Sequence, residues 1–162
     1  MSTNAAHDRW WQISEVVFGV PLLAAIALQL VVPPPSPGVL PAPAVVAGGI
    51  GLFVVGVALI VLARREFARY GQPTDPGRPT GRVVTSGIFS VSRNPLYLGC
   101  VCVLAGIGLA VNLIWMLILL LPAAVACHYV LIAPEERYLA ARFGDEYRAY
   151  TAAVHRWLGR AH

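Results

Sequence analysis

The stretch PLYLGCVCVLAGIGLAVNLIWMLILLLPAAVACHYVLIA, residues 95–133, decides the fold because it is almost wholly apolar. At about 1.5 Å per residue, one helix of this length would far exceed a bilayer core of about 30 Å. Asn112 is the strongly polar residue near its middle. The stretch therefore predicts two antiparallel membrane spans, at about residues 95–111 and 113–133, with a tight turn at Asn112.

Two earlier apolar runs, at about residues 13–32 and 44–63, are also long enough to cross a bilayer. Hydrophobic residues make up 57% of the chain and charged residues only 12%, whereas a soluble domain carries about 25% charged residues. The sequence thus predicts one all-α membrane domain over residues 1–162, an integral membrane helical bundle with about four transmembrane helices.

The arginines indicate how such a bundle is oriented. The chain has no lysine, and eleven of its twelve arginines lie in the central loop (residues 64–94) and the tail (residues 134–162). The proline-rich connector at residues 33–43 carries no charge. The positive-inside rule therefore predicts a multi-pass protein whose loop, tail and termini are all cytoplasmic. Arginines beside apolar spans are more typical of a membrane-topology signal than of a nucleic-acid-binding surface, so we expect no nucleic-acid partner.

Apolar residues in the tail recur at steps of three and four, which predicts a cytoplasmic amphipathic helix lying on the membrane or on the central loop. Gly144 weakens the middle of this pattern. The recurring residues are Leu139, Phe143, Tyr147, Tyr150, Val154 and Leu158. The three cysteines lie in apolar runs without the spacing of a metal site, so we expect no metal.

Two polar clusters stand at span boundaries on the predicted cytoplasmic side. Asn94 and Pro95 have the pattern of a helix start, in which asparagine caps backbone N–H groups and the helix dipole favours an anion. Arg93 adds a fixed positive charge. Glu135 and Glu136 are adjacent carboxylates that need partners or water at a membrane boundary. Each cluster taken alone is also typical of an ordinary helix end.

The segments TSGIFSVSRNPLYLG (85–99) and EERYLAARFGDEYRAY (135–150) together resemble the isoprenylcysteine carboxyl methyltransferase and phospholipid methyltransferase superfamily of integral membrane methyltransferases. Both the order and the spacing of the two motifs match. The resemblance covers about residues 80–157, roughly half of the chain. It implies an enzyme that uses S-adenosyl-L-methionine to methylate a lipid-like or prenylated acceptor at the cytoplasmic face of the membrane.

The resemblance also implies which residues bind the cofactor. The implied pocket lies where the central loop, the helix that starts at Pro95 and the tail meet. Backbone N–H groups there, with Arg93, would take the methionine carboxylate, and aromatic rings would face adenine or sulfonium. The implied cofactor-binding residues are Gly81, Arg82, Val83, Val84, Phe89, Asn94, Pro95, Leu96, Tyr97 and Glu135.

The chain departs from the superfamily pattern at three positions. Asn94 replaces the usual histidine, and Phe89 stands where tyrosine is common. Leu131 occupies the position at which the prenylcysteine enzymes carry an arginine linked to their carboxylate substrate. Arg137, six residues later, is the other candidate for contact with the acceptor.

The acceptor determines whether the reaction needs a general base. A carboxylate or thiolate acceptor needs none, whereas an amine or alcohol would need Glu136 or His128. Together with Arg93, these are the candidate catalytic residues. Two alternatives stay open: a small non-catalytic membrane protein that binds a lipid or a partner, and an NADPH-dependent membrane reductase of related architecture.

Overall fold

A computed structural model describes residues 14–32, 42–72 and 81–160. Apart from loops and one isolated bridge, this part of the chain is helical, so the all-α prediction is confirmed. A 3₁₀ turn at Gly87–Ser90 precedes the third helix, and π-helical Cys127–Ile132 joins the fourth to the fifth. The α-helices are α1 Ser14–Val31, α2 Pro43–Arg69, α3 Pro95–Ala110, α4 Ile114–Ala126, α5 Ala133–Phe143 and α6 Asp145–Ala153.

Three continuous helical segments among the described residues are long and apolar enough to cross a membrane: Ser14–Val31, Pro43–Arg69 and Ile114–Phe143. The helix α3 is also apolar but has only 16 residues. Large apolar side chains point outward, among them Leu30 at 82% exposure and Leu121 at 72%. Because water is a poor environment for such a continuous surface, these outward faces identify an integral membrane protein.

The chain turns sharply between α3 and α4 at Asn112, which has a φ of 54°. The end of α1 lies beside this turn, because Gln29 donates to the Asn112 carbonyl at 3.4 Å and the Trp115 indole donates to the Val32 carbonyl at 3.2 Å. One end of the bundle therefore contains both the end of α1 and the α3–α4 turn.

Helices α2 and α3 approach closely through glycine. A Cβ on Gly56 would lie 2.7 Å from the Gly99 carbonyl oxygen, and a Cβ on Gly49 would lie 2.8 Å from the Gly106 carbonyl oxygen. Small residues permit such backbone contact between membrane helices. The pairing fixes the start of α3 beside the last turns of α2, which is where the candidate site lies.

The structure corrects two helix boundaries. The helix α2 continues to Arg69, beyond the predicted end of the apolar run at residue 63. The pattern predicts one amphipathic helix in the tail, but the tail breaks at Gly144, whose φ of 53° ends α5 and starts α6. The chain then becomes extended at Val154, and Leu158 is 62% exposed, so the predicted pattern does not continue to its end. The proline-rich connector lies almost wholly outside the described residues.

Candidate active site

The start of α3 is built differently from a capped helix. Pro95 takes the first helical position and is buried, but the side chain of Asn94 makes no capping hydrogen bond. The Asn94 amide donates instead to the carbonyl of Arg156 at 3.1 Å, and the Asn94 backbone N–H donates to the Ser92 hydroxyl at 3.1 Å. The prediction that Asn94 caps α3 is therefore wrong: its side-chain oxygen accepts no hydrogen bond from the first turn, and its NH₂ group binds the tail carbonyl. In the described part of the chain, the N-cap side chain therefore makes no bond to the first N–H groups of α3.

Glu135 connects the two motif segments. It lies in the first turn of α5, and its Oε2 accepts a hydrogen bond from the Tyr97 hydroxyl at 3.1 Å. Tyr97 projects from the first turn of α3, 38 positions earlier in the chain. Two predicted cofactor-binding residues therefore lie side by side, although no local pattern in the sequence pairs them.

Glu136 is held by two arginines. Arg156 binds it with a fork, Nε to Oε1 at 3.0 Å and Nη2 to Oε2 at 2.7 Å, while Arg93 Nη1 lies 3.1 Å from Oε1. The Glu136 side chain is 17% exposed and that of Arg93 is 12% exposed. Each carboxylate oxygen thus has a guanidinium partner, which suits Glu136 to joining chain segments more than to accepting a proton.

The tail folds back on the segment that precedes α3. The backbone N–H of Arg93 donates to the His155 carbonyl at 3.2 Å, and the backbone N–H of Gly159 donates to the Val91 carbonyl at 2.8 Å. The buried Tyr150 hydroxyl donates to the Phe89 carbonyl at 2.7 Å. These bonds fix the tail against the arginine-containing motif over several residues.

A buried tyrosine lies next to the arginine–glutamate cluster. Burial raises the pKa of Tyr147 to about 12, the negative charge of Glu136 adds to this effect, and Arg93 opposes it. The phenol therefore stays protonated over the physiological range. Tyr147 contributes a neutral hydroxyl beside the cluster and does not act as a base.

The loop residues predicted to bind the cofactor pack against two different parts of the chain, the tail and α2. Val83 packs against the tail with Tyr147 and Tyr150, whereas Val84 and Phe89 pack against α2. Gly81 N–H donates to the Gln72 side chain at 2.7 Å, and the Arg82 guanidinium lies 4.7 Å from the centre of the Tyr70 ring. Leu96, from the start of α3, packs against the same cluster as Phe89.

Phe89 does not face the Arg93–Glu135 region as an open aromatic wall. It is buried, 6% exposed, and its ring centre lies 4.9 Å from that of Phe67 on α2. Its packing role explains why phenylalanine suits this position. The contact between Phe89 and adenine or sulfonium stays a prediction.

Glu66 is a polar residue of this region that the sequence patterns did not single out. It is 9% exposed, accepts a hydrogen bond from the Ser86 hydroxyl, and adjoins Gly87. Ser86 also lies 2.9 Å from the Tyr70 hydroxyl. The sequence gives no sign that Glu66 is buried, because RREF (64–67) follows an apolar run and resembles a solvent-exposed helix end.

The remaining predicted residues lie on the helix that leads into α5 and at its start. His128 is in the π-helical turn with its ring 4.9 Å from that of Tyr129. Leu131 is 1% exposed and belongs to the apolar core cluster against which Tyr97 packs. Arg137 is exposed. Position 131 therefore faces packed apolar side chains, and Arg137 is not directed into the same core.

Outward-facing apolar helices, with a cluster of arginine, glutamate and tyrosine side chains at one end of the bundle, define an integral membrane protein with a polar site at its edge. A family model described as phospholipid methyltransferase matches residues 44–146, which is more than half of the chain. The chain belongs to the phospholipid methyltransferase family, so the predicted superfamily resemblance is confirmed. Searches of curated proteins and of solved structures returned no match.

Membership of this family identifies a membrane methyltransferase that acts on lipid-like substrates. The matched residues include α2, α3, α4, α5 and the start of α6, and thus every predicted site residue. They exclude α1 and the end of the tail, where Arg156 lies.

Proposed function

We propose that this chain transfers a methyl group from S-adenosyl-L-methionine to a lipid-like acceptor at the cytoplasmic face of the membrane. One observation supports this most strongly: the two motif segments meet through Tyr97–Glu135 and Arg93–Glu136, at 3.1 Å each. Basic, acidic and aromatic side chains thereby converge at the boundary of an apolar bundle, which a cofactor with a carboxylate and a cationic sulfur requires.

The chemistry of the donor set fits the cofactor. The N–H groups of α3 lack a side-chain cap, and Arg93 Nε is buried without a hydrogen-bond partner among the described residues. Both features suit the methionine carboxylate. Glu135 and Tyr97 suit the amino group or a ribose hydroxyl. When bound, S-adenosyl-L-methionine supplies an electrophilic methyl group on a positively charged sulfur.

The residues of the chain then have three tasks. Arg93 and the start of α3 bind and orient the anionic end of the cofactor. The apolar walls of α3 and the π-helical turn exclude water, which favours in-line alignment of donor and acceptor. Glu136 is committed to two arginines, so where the acceptor is an amine or alcohol we propose His128 as the group that takes its proton.

The acceptor is proposed to enter sideways from the bilayer. Leu131 lies in the apolar core, so this position offers no charge to a prenylcysteine carboxylate. We therefore favour a lipid with an amine, hydroxyl or thiol over a prenylated carboxylate. The positive-inside rule and the arginine distribution support a cytoplasmic site with both termini on the same side.

Cofactor binding tests this proposal directly. Detergent-solubilised protein should bind S-adenosylhomocysteine in calorimetry, and Glu135→Ala and Arg93→Ala should each weaken binding about ten- to a hundredfold, as expected for loss of a charge-assisted hydrogen bond of about 1.5–3 kcal/mol. Asp145→Ala is the matched control, because Asp145 is an exposed carboxylate paired only with Arg148 among the described residues.

Three outcomes separate the proposal from its alternatives. Binding of S-adenosylhomocysteine, together with a mass-spectrometric gain of one methyl group on a lipid when S-adenosyl-L-methionine is supplied as donor, supports the methyltransferase. Binding of NADPH instead identifies a reductase. If folded protein binds neither ligand, a non-catalytic lipid- or partner-binding protein is the correct interpretation.

A further inference from the structure

We propose that Arg156 is a positioning residue of the active site: its side chain holds Glu136 against Arg93, its carbonyl holds Asn94, and together they order the start of α3. The inference rests on the proposed function for its consequence in cofactor binding. Its structural part, that the end of the tail orders the start of α3, is independent of that function.

Arg156 reaches the motif through its side chain by way of Glu136. Its guanidinium makes a two-pronged contact, Nε to Oε1 at 3.0 Å and Nη2 to Oε2 at 2.7 Å. The geometry fixes the plane of the carboxylate, which leaves Oε1 directed at Arg93 Nη1, 3.1 Å away. A planar fork restricts orientation as well as distance, and a lysine cannot reproduce it.

Arg156 also reaches the motif through its backbone. Its carbonyl accepts the hydrogen bond from the Asn94 amide at 3.1 Å. The carbonyl of the preceding residue, His155, accepts a hydrogen bond from the backbone N–H of Arg93 at 3.2 Å. One short tail segment thus contacts two successive motif residues, Arg93 and Asn94, from the main chain while its side chain holds Glu136.

The charges explain why the second arginine is needed. The Glu136 side chain is 17% exposed and Arg93 is 12% exposed, so each is costly to leave unpaired. The Arg156 side chain is 39% exposed and is therefore the most accessible member of the cluster. With both guanidiniums present, Glu136 is saturated and does not compete with Glu135 for the positive charge of the cofactor. Without Arg156, Glu136 would keep only Arg93 among the described residues, and we expect Arg93 then to be drawn away from the cofactor carboxylate.

The variant Arg156→Ala tests the inference, with Arg148→Ala as the matched control. Arg148 also contacts a carboxylate, Asp145, but both side chains are strongly exposed, at 72% and 96%, on α6. We expect Arg156→Ala to accelerate amide hydrogen exchange in residues 91–98 by about tenfold or more and to weaken S-adenosylhomocysteine binding by about the same factor. Arg156→Lys should recover only part of both effects. Arg148→Ala should change neither.

A double-mutant cycle separates positioning from general stability. If Arg156 acts through Glu136, the combined variant Arg156→Ala/Glu136→Gln should be little worse than the poorer single variant in cofactor affinity. Additive losses, or unchanged exchange and affinity in Arg156→Ala, would overturn the inference. Should Arg156→Ala not fold, Arg156→Lys and Arg156→Gln provide the same comparison. A wild-type protein that does not bind the cofactor analogue would refute the proposed function, while the exchange comparison would still decide the structural part.

Discussion

Gly87, at the start of the 3₁₀ turn, combines two requirements that only glycine meets. Its φ is +58°, and a Cβ at this position would lie 2.9 Å from the Glu66 carboxylate carbon. We predict that Gly87→Ala lowers the unfolding midpoint in detergent more than Gly71→Ala does. Gly71 has a similar φ of +62°, but a Cβ there would meet nothing within 4 Å, so it isolates the backbone effect.

The expected difference between these two variants measures the Glu66 contact. Strained backbone at positive φ costs about 1–3 kcal/mol, and overpacking adds about 1–3 kcal/mol where neighbours cannot yield. Thermal unfolding followed by circular dichroism gives the comparison. Equal midpoints for Gly87→Ala and Gly71→Ala would show that Glu66 moves aside freely.

Leu131 provides a second prediction at the scale of a residue. It is 1% exposed and packed among apolar side chains, so Leu131→Arg would place a charge and a longer side chain in the apolar core. We expect a loss on the order of 3–5 kcal/mol in the free energy of unfolding and no gain of methyl transfer to N-acetyl-farnesylcysteine. Leu131→Met, which nearly conserves volume, should cost less than about 1.5 kcal/mol.

Activity in Leu131→Arg toward that substrate would contradict this expectation. It would mean that position 131 opens into the acceptor site and that an arginine there finds a carboxylate. Robust activity of the wild type would show instead that another residue, such as Arg137, compensates for the missing charge.

The sequence identified single residues of the site but not their partners. Arg93, Tyr97, Glu135 and Glu136 stand in recognisable motifs, and the structure brings them together. Arg156 could not be found in this way, because its contact spans 20 positions and depends on the path of the tail. Polar contacts between distant segments leave no periodic signal in a single sequence.

At the scale of elements, the contact between α2 and α3 depends on glycines on the two helix faces that meet. A Cβ on Gly56 would lie 2.7 Å from both Gly99 O and Val103 N, which are backbone atoms that cannot rotate away. We therefore predict that Gly56→Ala destabilises the folded protein by about 1–3 kcal/mol and separates the two helices. Gly51→Ala is the control, since a Cβ at that position would meet nothing within 4 Å.

Because Gly56 lies on the helix that supports the start of α3, its substitution should also weaken binding of S-adenosylhomocysteine. Both measurements, thermal unfolding and calorimetry, apply to the same two purified variants. A Gly56→Ala protein as stable as Gly51→Ala would show that the helices separate slightly without cost.

Helix existence was predictable, whereas helix ends and irregular turns were not. Apolar runs indicated α1 and α2 and the pair α3–α4, because burial in lipid requires continuous hydrophobicity. The π-helical turn at Cys127–Ile132 has a local cause that the apolar pattern conceals. Pro134 has no N–H to donate and its ring crowds the carbonyl four residues earlier, so the preceding turn widens.

The break at Gly144 was visible only as a weak point in the amphipathic pattern. Its positive φ interrupts the helix, and α6 and the residues after it contact the segment that precedes α3. The contacts of Arg156 with Glu136 and Asn94 depend on this path of the tail. The spacing of apolar residues does not reveal the break at Gly144, because the residues on both sides of it keep helical spacing.

At the scale of the whole molecule, the bundle has two chemically distinct ends. One end holds the α3–α4 turn at Asn112 beside the end of α1. The other holds the arginine-rich end of α2, the start of α3 and the tail. Three of the described segments are long enough to span a bilayer, and α3 is shorter. We propose that α3 also crosses, tilted against α2, which gives four spans and places both termini on one side.

Cysteine labelling in intact cells tests this topology. In a background in which Cys100, Cys102 and Cys127 are replaced by alanine, a cysteine at Asn112 should react with a membrane-impermeant maleimide, and one at Arg142 should react only after permeabilisation. The charge asymmetry is the physical reason, since arginine-rich segments resist translocation. Labelling of both positions from outside would contradict a cytoplasmic tail. Protection of both would place the Asn112 turn on the same side as the tail, and α3 would then lie within the bilayer without crossing it.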